Sequence, residues 1–443
     1  MTHTHALIDT EDAARYLAEA EILASAPPGL PAPRRDVRRA GVIGAGTMGR
    51  GIAMAFANAG IAVQLVDPDA EARQRAAQAM DDAYAGAAAK ARMSPEQART
   101  ARGRIALTDS LSALADADAV IEAVFEDLAL KQRLYAEVCA IIDADCLLAT
   151  NTSFLDLNAI GSAASHAERT VGMHFFSPAN IMPLVEVVQG RDTAPQTLAD
   201  ALALALKLGK KPVAMRACDG FVGNRMLSRR TIEAESLLLH GALPHEVDGV
   251  LTRFGFPMGP FAMTDMAGVD VNWRTRKARG LPLAIADAIC EAGRLGQKTG
   301  KGYYRYAPGS RAPIPDPQVQ ALIEGIAQTA GIERESFSDT EIRERLLYPM
   351  INEGVRILSE GVIRRASDID VVWRYGYGWP AASVGPMRYA DEAGLVAVCD
   401  ALDRMARKTG RESLVPHPLL RELAATGRSL AAQPVPEKTP IPS

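Results

Sequence analysis

Paired cysteines are missing from this chain. Its five cysteines (Cys139, Cys146, Cys218, Cys290, Cys399) stand far apart, with the spacing of neither a disulfide framework nor a metal-binding cluster. They read as buried thiols in a reducing compartment, so a cytoplasmic location is expected. No apolar run reaches the roughly 18 residues needed to span a bilayer, and no membrane partner is expected. The N-terminal Met-Thr-His-Thr-His lacks the basic region and apolar core of a secretory signal. The C-terminal Pro-Ile-Pro-Ser carries no targeting tripeptide. Excess positive charge is absent too: the formal net charge is −4, which gives no global reason to expect nucleic acid. Without a Cys/His cluster or a G-x-S-x-G, neither a metal site nor an acyl-enzyme is indicated. What remains is 443 residues, room for two or three domains with a sizeable core.

Against these absences stands one dense signal. A short apolar run, Gly41 to Ile43, leads into Gly44, Gly46 and Gly49 in a G-x-G-x-x-G frame, and a helical pattern follows from Met48 to about Ala59. Such a turn lets the backbone approach a pyrophosphate at a helix N-terminus, where unpaired N–H groups and a partial positive charge meet the anion. Thr47 and Met48 sit in the same turn. A second strand, Ile61 to Val66, ends on Asp67, about 20 residues on, where an acid accepts from an adenosine ribose and repels a 2′-phosphate. NAD is therefore expected over NADP.

Strand and helix patterns then alternate. Helical stretches at 70–90, 131–142 and 196–208 separate strand-like runs at 105–107, 119–124, 146–150, 171–176, 184–188 and 212–215. This argues for a doubly wound sheet. From Phe221 the periodicity is helical, and a weak repeat emerges. Arg225-Met226-Leu227, Glu233 and Gly241 recur as Arg345-Leu346-Leu347, Glu353 and Gly361. Asp248 recurs as Asp368, and Gly255-Phe256-Pro257 as Gly378-Trp379-Pro380. The expected fold is α/β: a Rossmann-type doubly wound sheet followed by two repeated all-α helical domains. The divisions are 1–36, an N-terminal helix (11–23) and Pro-rich linker; 37–217, the NAD-binding domain; 218–306, the first helical domain; 307–334, a linker; and 335–430, a degenerate second copy.

A nicotinamide enzyme that oxidises an alcohol needs a base for the hydroxyl proton. His174, at the rim of a predicted strand, is the best candidate. Glu186, closing the next strand, could hold its tautomer, and Ser153 could hydrogen-bond the substrate oxygen. The remaining histidines lie in helix, turn or terminal contexts.

Six stretches, in order, resemble the 3-hydroxyacyl-CoA dehydrogenase family: Gly-Ala-Gly-Thr-Met-Gly-Arg-Gly-Ile-Ala, Asn-Thr-Ser at 151–153, His-Phe-Phe-Ser-Pro at 174–178, Leu-Val-Glu-Val-Val at 184–188, Gly-Phe-Val-Gly-Asn-Arg at 220–225 and Gly-Gln-Lys-Thr-Gly-Lys-Gly-Tyr-Tyr at 296–304. The second helical copy, with Gly376-Tyr377-Gly378-Trp379-Pro380, resembles the extra domain of multifunctional β-oxidation enzymes of the peroxisomal bifunctional type. Residues 11–35 resemble the linker helix that follows an enoyl-CoA hydratase domain in those enzymes. The chain thus looks like their dehydrogenase portion standing alone.

The resemblance implies NAD-dependent oxidation of (S)-3-hydroxyacyl-CoA to 3-oxoacyl-CoA. His174 would be the base and Glu186 its partner, with Ser153 and Asn224 as substrate-positioning groups. Gly44, Gly46, Gly49 and Asp67 would bind the adenosine half of NAD, and Glu126, Lys131 and Lys298 match further cofactor-contacting positions. Lys90 matches a lysine that contacts coenzyme A, although the neighbouring serine of the short enzymes is Ala83 here. Glu344 takes the place of Asn224 in the second copy, which therefore reads as structural. A dehydrogenase of a free hydroxy acid or sugar acid is the alternative, and a noncatalytic NAD-binding structural protein is a weaker one. Expected partners are an acyl-CoA substrate and a separate enoyl-CoA hydratase, for which the apolar face of residues 11–23 is the candidate surface. The two copies are expected to pair within one chain, leaving a monomer, or a dimer through another surface.

Overall fold

The alternation of apolar runs and helical periodicity between residues 39 and 216 resolves into eight strands. They are β1 (Arg39–Ile43), β2 (Ala62–Val66), β3 (Ile105–Thr108), β4 (Ala119–Glu122), β5 (Leu147–Thr150), β6 (Thr170–Phe175), β7 (Leu184–Gln189) and β8 (Lys211–Arg216). The structure, a computed structural model, describes residues 10–431. His3 and His5 lie outside them. The strands form one sheet in the order β3-β2-β1-β4-β5-β6-β7-β8. The first six run parallel, β7 turns antiparallel to β6, and β8 is parallel to β7. Strand order reverses at β1, between β2 and β4, which opens a crevice at the carboxyl ends.

The first helices are α1 (Thr10–Ser25), α2 (Thr47–Asn58), α3 (Ala70–Ala89), α4 (Pro95–Gly103), α5 (Leu128–Cys139), α6 (Leu157–Gly161) and α7 (Pro195–Lys207). Short polar side chains start several of them. Asp69 caps α3, Asp127 caps α5, and Ser94 with Gln97 closes a capping box on α4. The Asp127 cap starts α5 earlier than its periodicity suggests. Adjacent strand residues feed opposite faces of the sheet. Val42, Leu65, Ile121 and Ala149 join one core with Phe56 and Leu202, while Ile43, Val66, Val120 and Leu148 join another with Tyr135 and Val138. Burying each large apolar side chain stabilises by about 1.5–3 kcal/mol, so the sheet is the rigid platform for its edge.

After β8 the described chain is helical apart from isolated bridges: α8 (Phe221–Leu239), α9 (Pro244–Phe254), α10 (Pro260–Ala267), α11 (Val269–Ala278), α12 (Ala284–Glu291), α13 (Pro317–Thr329), α14 (Asp339–Ser359), α15 (Ala366–Gly376), α16 (Pro386–Ala393), α17 (Leu395–Thr409) and α18 (Pro418–Thr426). Two compact units result. One contains the sheet, the described chain 10–224 and Ile357–Tyr377; the other contains Arg225–Arg356 and 378–431.

Three expectations are corrected. The stretch 307–334 is not only linker: Asp316 caps α13, which buries Val319, Ile323 and Ala327. The second repeat is not a body apart, because Ile357–Tyr377 clusters with the sheet. And the apolar face of α1 is covered. It packs on α15 and β8, burying Ala20 and Ala24, with Tyr16 Oη donating to Asp370 Oδ2 at 2.7 Å. Glu21 accepts from Lys211 and Tyr375. Leu23, placed on the inner face by periodicity, is 42% exposed. An amphipathic stripe of this kind is stable only against another apolar surface, and α15 supplies it.

Candidate active site

The glycine turn follows β1. A Cβ on Gly49 would fall 1.7 Å from Gly44 O, so only glycine lets α2 sit this close to the turn. A Cβ on Gly46 would meet nothing within 4 Å, and no side chain caps α2. The ground before this helix N-terminus is open, with Thr47 and Met48 as its first two residues. Asp67 leaves the end of β2 and turns to the glycines: Oδ2 accepts from Ala45 N at 2.8 Å and Oδ1 from Asp69 N at 3.0 Å. A cradle without side chains, a helix N-terminus and a carboxylate beside it fit the pyrophosphate and ribose of a dinucleotide.

Beyond β4 lies a buried charge network. Glu122 Oε1 accepts from Lys131 Nζ at 2.6 Å and from Val124 N at 2.7 Å, and its Oε2 accepts from Thr150 Oγ1 at 2.8 Å. Lys131 is 1% exposed and lies 3.5 Å from Glu126. The resemblance makes Lys131 a cofactor contact; here its ammonium is enclosed by two carboxylates and shapes the loop from inside. Glu126 gathers the turn after β5: its Oε1 accepts from Thr152 Oγ1 at 2.6 Å, Ser153 N at 2.8 Å and Phe154 N at 3.0 Å. Burial opposes its charge, but Lys131 and these donors outweigh burial and lower its pKa.

The chemistry is concentrated on β6 and β7. Their antiparallel register places His174 directly opposite Glu186, so both side chains share a face. His174 Nδ1 lies 2.7 Å from Glu186 Oε2, and Nε2 lies 3.2 Å from Ser153 Oγ. Glu186 sits inside β7 rather than closing it, because β7 starts at the edge where β6 ends. It is fully buried, and its Oε1 accepts from Gly223 N at 2.9 Å, which ties the start of α8 to the base. Phe221, at φ +51°, starts that helix in a conformation rare for a bulky residue, and its ring lies 5.6 Å from His174. Asn224 is the next residue after Gly223, and its Oδ1 accepts from Tyr377 Oη at 2.9 Å.

Ser153, His174 and Glu186 are therefore brought into one hydrogen-bonded line. Lys90 caps the exposed end of α3. Lys298 belongs to the second unit, where it pairs with Asp270. Glu344, also there, pairs with Arg404 at 3.2 Å. Sequence reasoning missed Glu122, Thr152 and Tyr377. An acid ending an apolar run was a usable sign for Glu122; Tyr377 had none beyond its place in a Gly-Tyr-Gly-Trp-Pro stretch. Among the described residues no group of three or more His, Cys, Asp or Glu could hold a metal.

The family model for the NAD-binding domain of 3-hydroxyacyl-CoA dehydrogenase matches residues 39–218, and the C-terminal domain model matches 220–306 and again 342–434. The chain is 40% identical over 430 residues to the human peroxisomal bifunctional enzyme, covering 91% of this chain and 59% of that one. It thus spans about six tenths of the curated relative's length. Among solved structures, the dehydrogenase part of multifunctional enzyme 1 from C. elegans is 31% identical, with 94% of this chain and 99% of that one covered and a TM-score of 0.69. The 3-hydroxybutyryl-CoA dehydrogenase of Escherichia coli is 27% identical, with 88% and 99% covered and a TM-score of 0.77. NAD is the cofactor that the open cradle and the matched domain share. With both domain models matched along most of its length, the chain belongs to the 3-hydroxyacyl-CoA dehydrogenase family.

Proposed function

We propose that this chain oxidises (S)-3-hydroxyacyl-CoA thioesters to 3-oxoacyl-CoA, as in fatty-acid β-oxidation. The observation that carries the reading is the line Ser153–His174–Glu186, with contacts of 3.2 and 2.7 Å, on a sheet whose first turn fits a dinucleotide. The chemistry that bound NAD would supply is acceptance of the hydride from C3. The His174 Nε2 lone pair takes the hydroxyl proton, and the buried Glu186 carboxylate holds the proton on Nδ1 and stabilises the imidazolium that forms. Ser153 Oγ orients the substrate oxygen, and the Asn224 carboxamide positions the acyl group. Glu126 positions Ser153 through its backbone N–H. Asp67 and the glycine turn bind the adenosine half of NAD, with Glu126 as a further contact, and Lys90 contacts coenzyme A.

A panel of 3-hydroxyacyl-CoA thioesters of rising chain length, run beside a free 3-hydroxy acid, tests the reading. Rapid NADH formation with thioesters and little with the free acid is expected. The reverse preference would favour a dehydrogenase of free hydroxy acids.

The proposed source of substrate is a separate enoyl-CoA hydratase, because adding water across a 2,3-double bond of the thioester makes the hydroxyl oxidised here. All five cysteines are free thiols, and no described helix is long and apolar enough to cross a membrane. The reducing cytoplasm is the proposed location; the human relative carries "peroxisomal" in its name. The proposed assembly is a monomer, or a dimer through a surface other than the helical pair.

A further inference from the structure

We propose that Tyr377 is a positioning residue of this active site, holding the Asn224 carboxamide so that its N–H donors face substrate; this rests on the dehydrogenase reading above. A carboxamide is planar, with acceptor and donor edges opposed, and unaided it can present either. The Tyr377 hydroxyl donates to Oδ1 at 2.9 Å, which assigns the oxygen edge and leaves both Nδ2 hydrogens for another acceptor.

The phenol is itself fixed. Its ring stacks on Trp373, a fully buried side chain, with centroids 4.5 Å apart. It also meets Phe176 edge-on at 5.4 Å, and Phe176 lies 4.8 Å from His174. Tyr377 is thus one ring removed from the base. Gly223 makes the approach possible, since a Cβ there would stand 2.4 Å from Tyr377 Oη and 2.5 Å from a ring carbon. The same glycine donates its N–H to Glu186. Two consecutive residues therefore register α8 against both the base and the tyrosine.

The repeat gives this pairing a direction. The first copy has Phe254 where the second has Tyr377, immediately before the matching Gly-aromatic-Pro. The second copy has Glu344 where the first has Asn224. The copy that lost the amide supplies the hydroxyl that orients it.

Tyr377→Phe removes one oxygen and keeps the stack. On (S)-3-hydroxybutyryl-CoA, kcat should fall about tenfold, the order expected from one lost hydrogen bond, while NAD affinity holds. Added to Asn224→Ala, Tyr377→Phe should cause no further loss, because the amide it orients is gone. In protein labelled with 15N-asparagine, the side-chain signals of Asn224, assigned by their loss in Asn224→Ala, should shift in Tyr377→Phe. They should shift likewise in Gly223→Ala, where the added methyl displaces the phenol. Unmoved Asn224 signals, an unchanged kcat, or fully additive losses in the double variant would overturn the proposal. If the unmodified chain fails to oxidise the thioester, the dehydrogenase reading fails, and the Asn224 signals alone decide whether Tyr377 holds the amide.

Discussion

Glu186 Oε2 stands 2.7 Å from His174 Nδ1, in a pair that antiparallel β6 and β7 set in direct register. The contact requires a proton on Nδ1 and frees Nε2 to accept. His174→Gln removes the base and should lower kcat by about 10² to 10⁴-fold, the usual worth of general-base assistance. Glu186→Gln presents an amide N–H to the ring and favours the wrong tautomer, so the loss should be of similar order. Binding of NAD, measured by calorimetry, should survive both changes, since the glycine turn is untouched.

Asp67 makes the cofactor prediction. Its carboxylate lies against the turn through Ala45 N at 2.8 Å, so a ribose phosphate would meet fixed negative charge. NAD should be strongly preferred over NADP. Asp67→Ala should weaken NAD by about tenfold, the worth of a lost hydrogen bond, and narrow the gap. Equal kcat/KM for the two cofactors in the unmodified chain would contradict this.

Lys131 separates a structural role from direct cofactor contact. It is 1% exposed and 2.6 Å from Glu122, which is itself fully buried. Removing one partner of a buried pair strands the other charge, so Lys131→Met should destabilise by about 3–5 kcal/mol in urea unfolding. Adding Glu122→Gln should recover part of that loss. A stable Lys131→Met with weakened NAD binding would restore the direct-contact role.

The lowered pKa of Glu126 gives a pH signature. Below its ordinary value of 4.5, the unfolded chain takes up the proton before the folded one. This group's contribution is therefore fully present above that value and is lost as pH falls through the folded pKa. Unfolding free energies measured from neutral pH downward should fall more steeply for the unmodified chain than for Glu126→Gln. Identical slopes would show that Glu126 does not gather the 152–154 turn in solution.

Deleting residues 320–443 tests the second repeat. The cut removes α15 with its fully buried Trp373 and uncovers the face of α1 and the edge strand β8. Aggregation and loss of turnover are expected, and light scattering should show the full-length chain as a monomer or as a dimer through another surface. A truncated chain that is soluble, monomeric and fully active would refute both.

What could be read from the chain beforehand is what leaves a local pattern. Strands show as apolar runs, and the glycine turn, Asp67, Ser153 and His174 all lie at or near strand ends. The antiparallel turn of β7 leaves no such mark, so Glu186 reads as closing a strand that it lies inside. Contacts far apart in sequence leave none either. Tyr377 meets Asn224 across 153 positions, and Tyr16 meets Asp370 across 354. Hence the cover over α1 and the tie on Asn224 emerged only with the fold. Lys131, a cofactor contact by resemblance, is paired with Glu122 and Glu126, and those neighbours come from the preceding strand and loop.

The most direct measurement is NADH formation from (S)-3-hydroxybutyryl-CoA by the purified chain, alongside His174→Gln and the (R) thioester. The account predicts steady turnover with the (S) thioester, none with the (R), and a loss of about 10² to 10⁴-fold in the variant. Near-normal turnover by His174→Gln, or no turnover by the unmodified chain on any thioester, would contradict it.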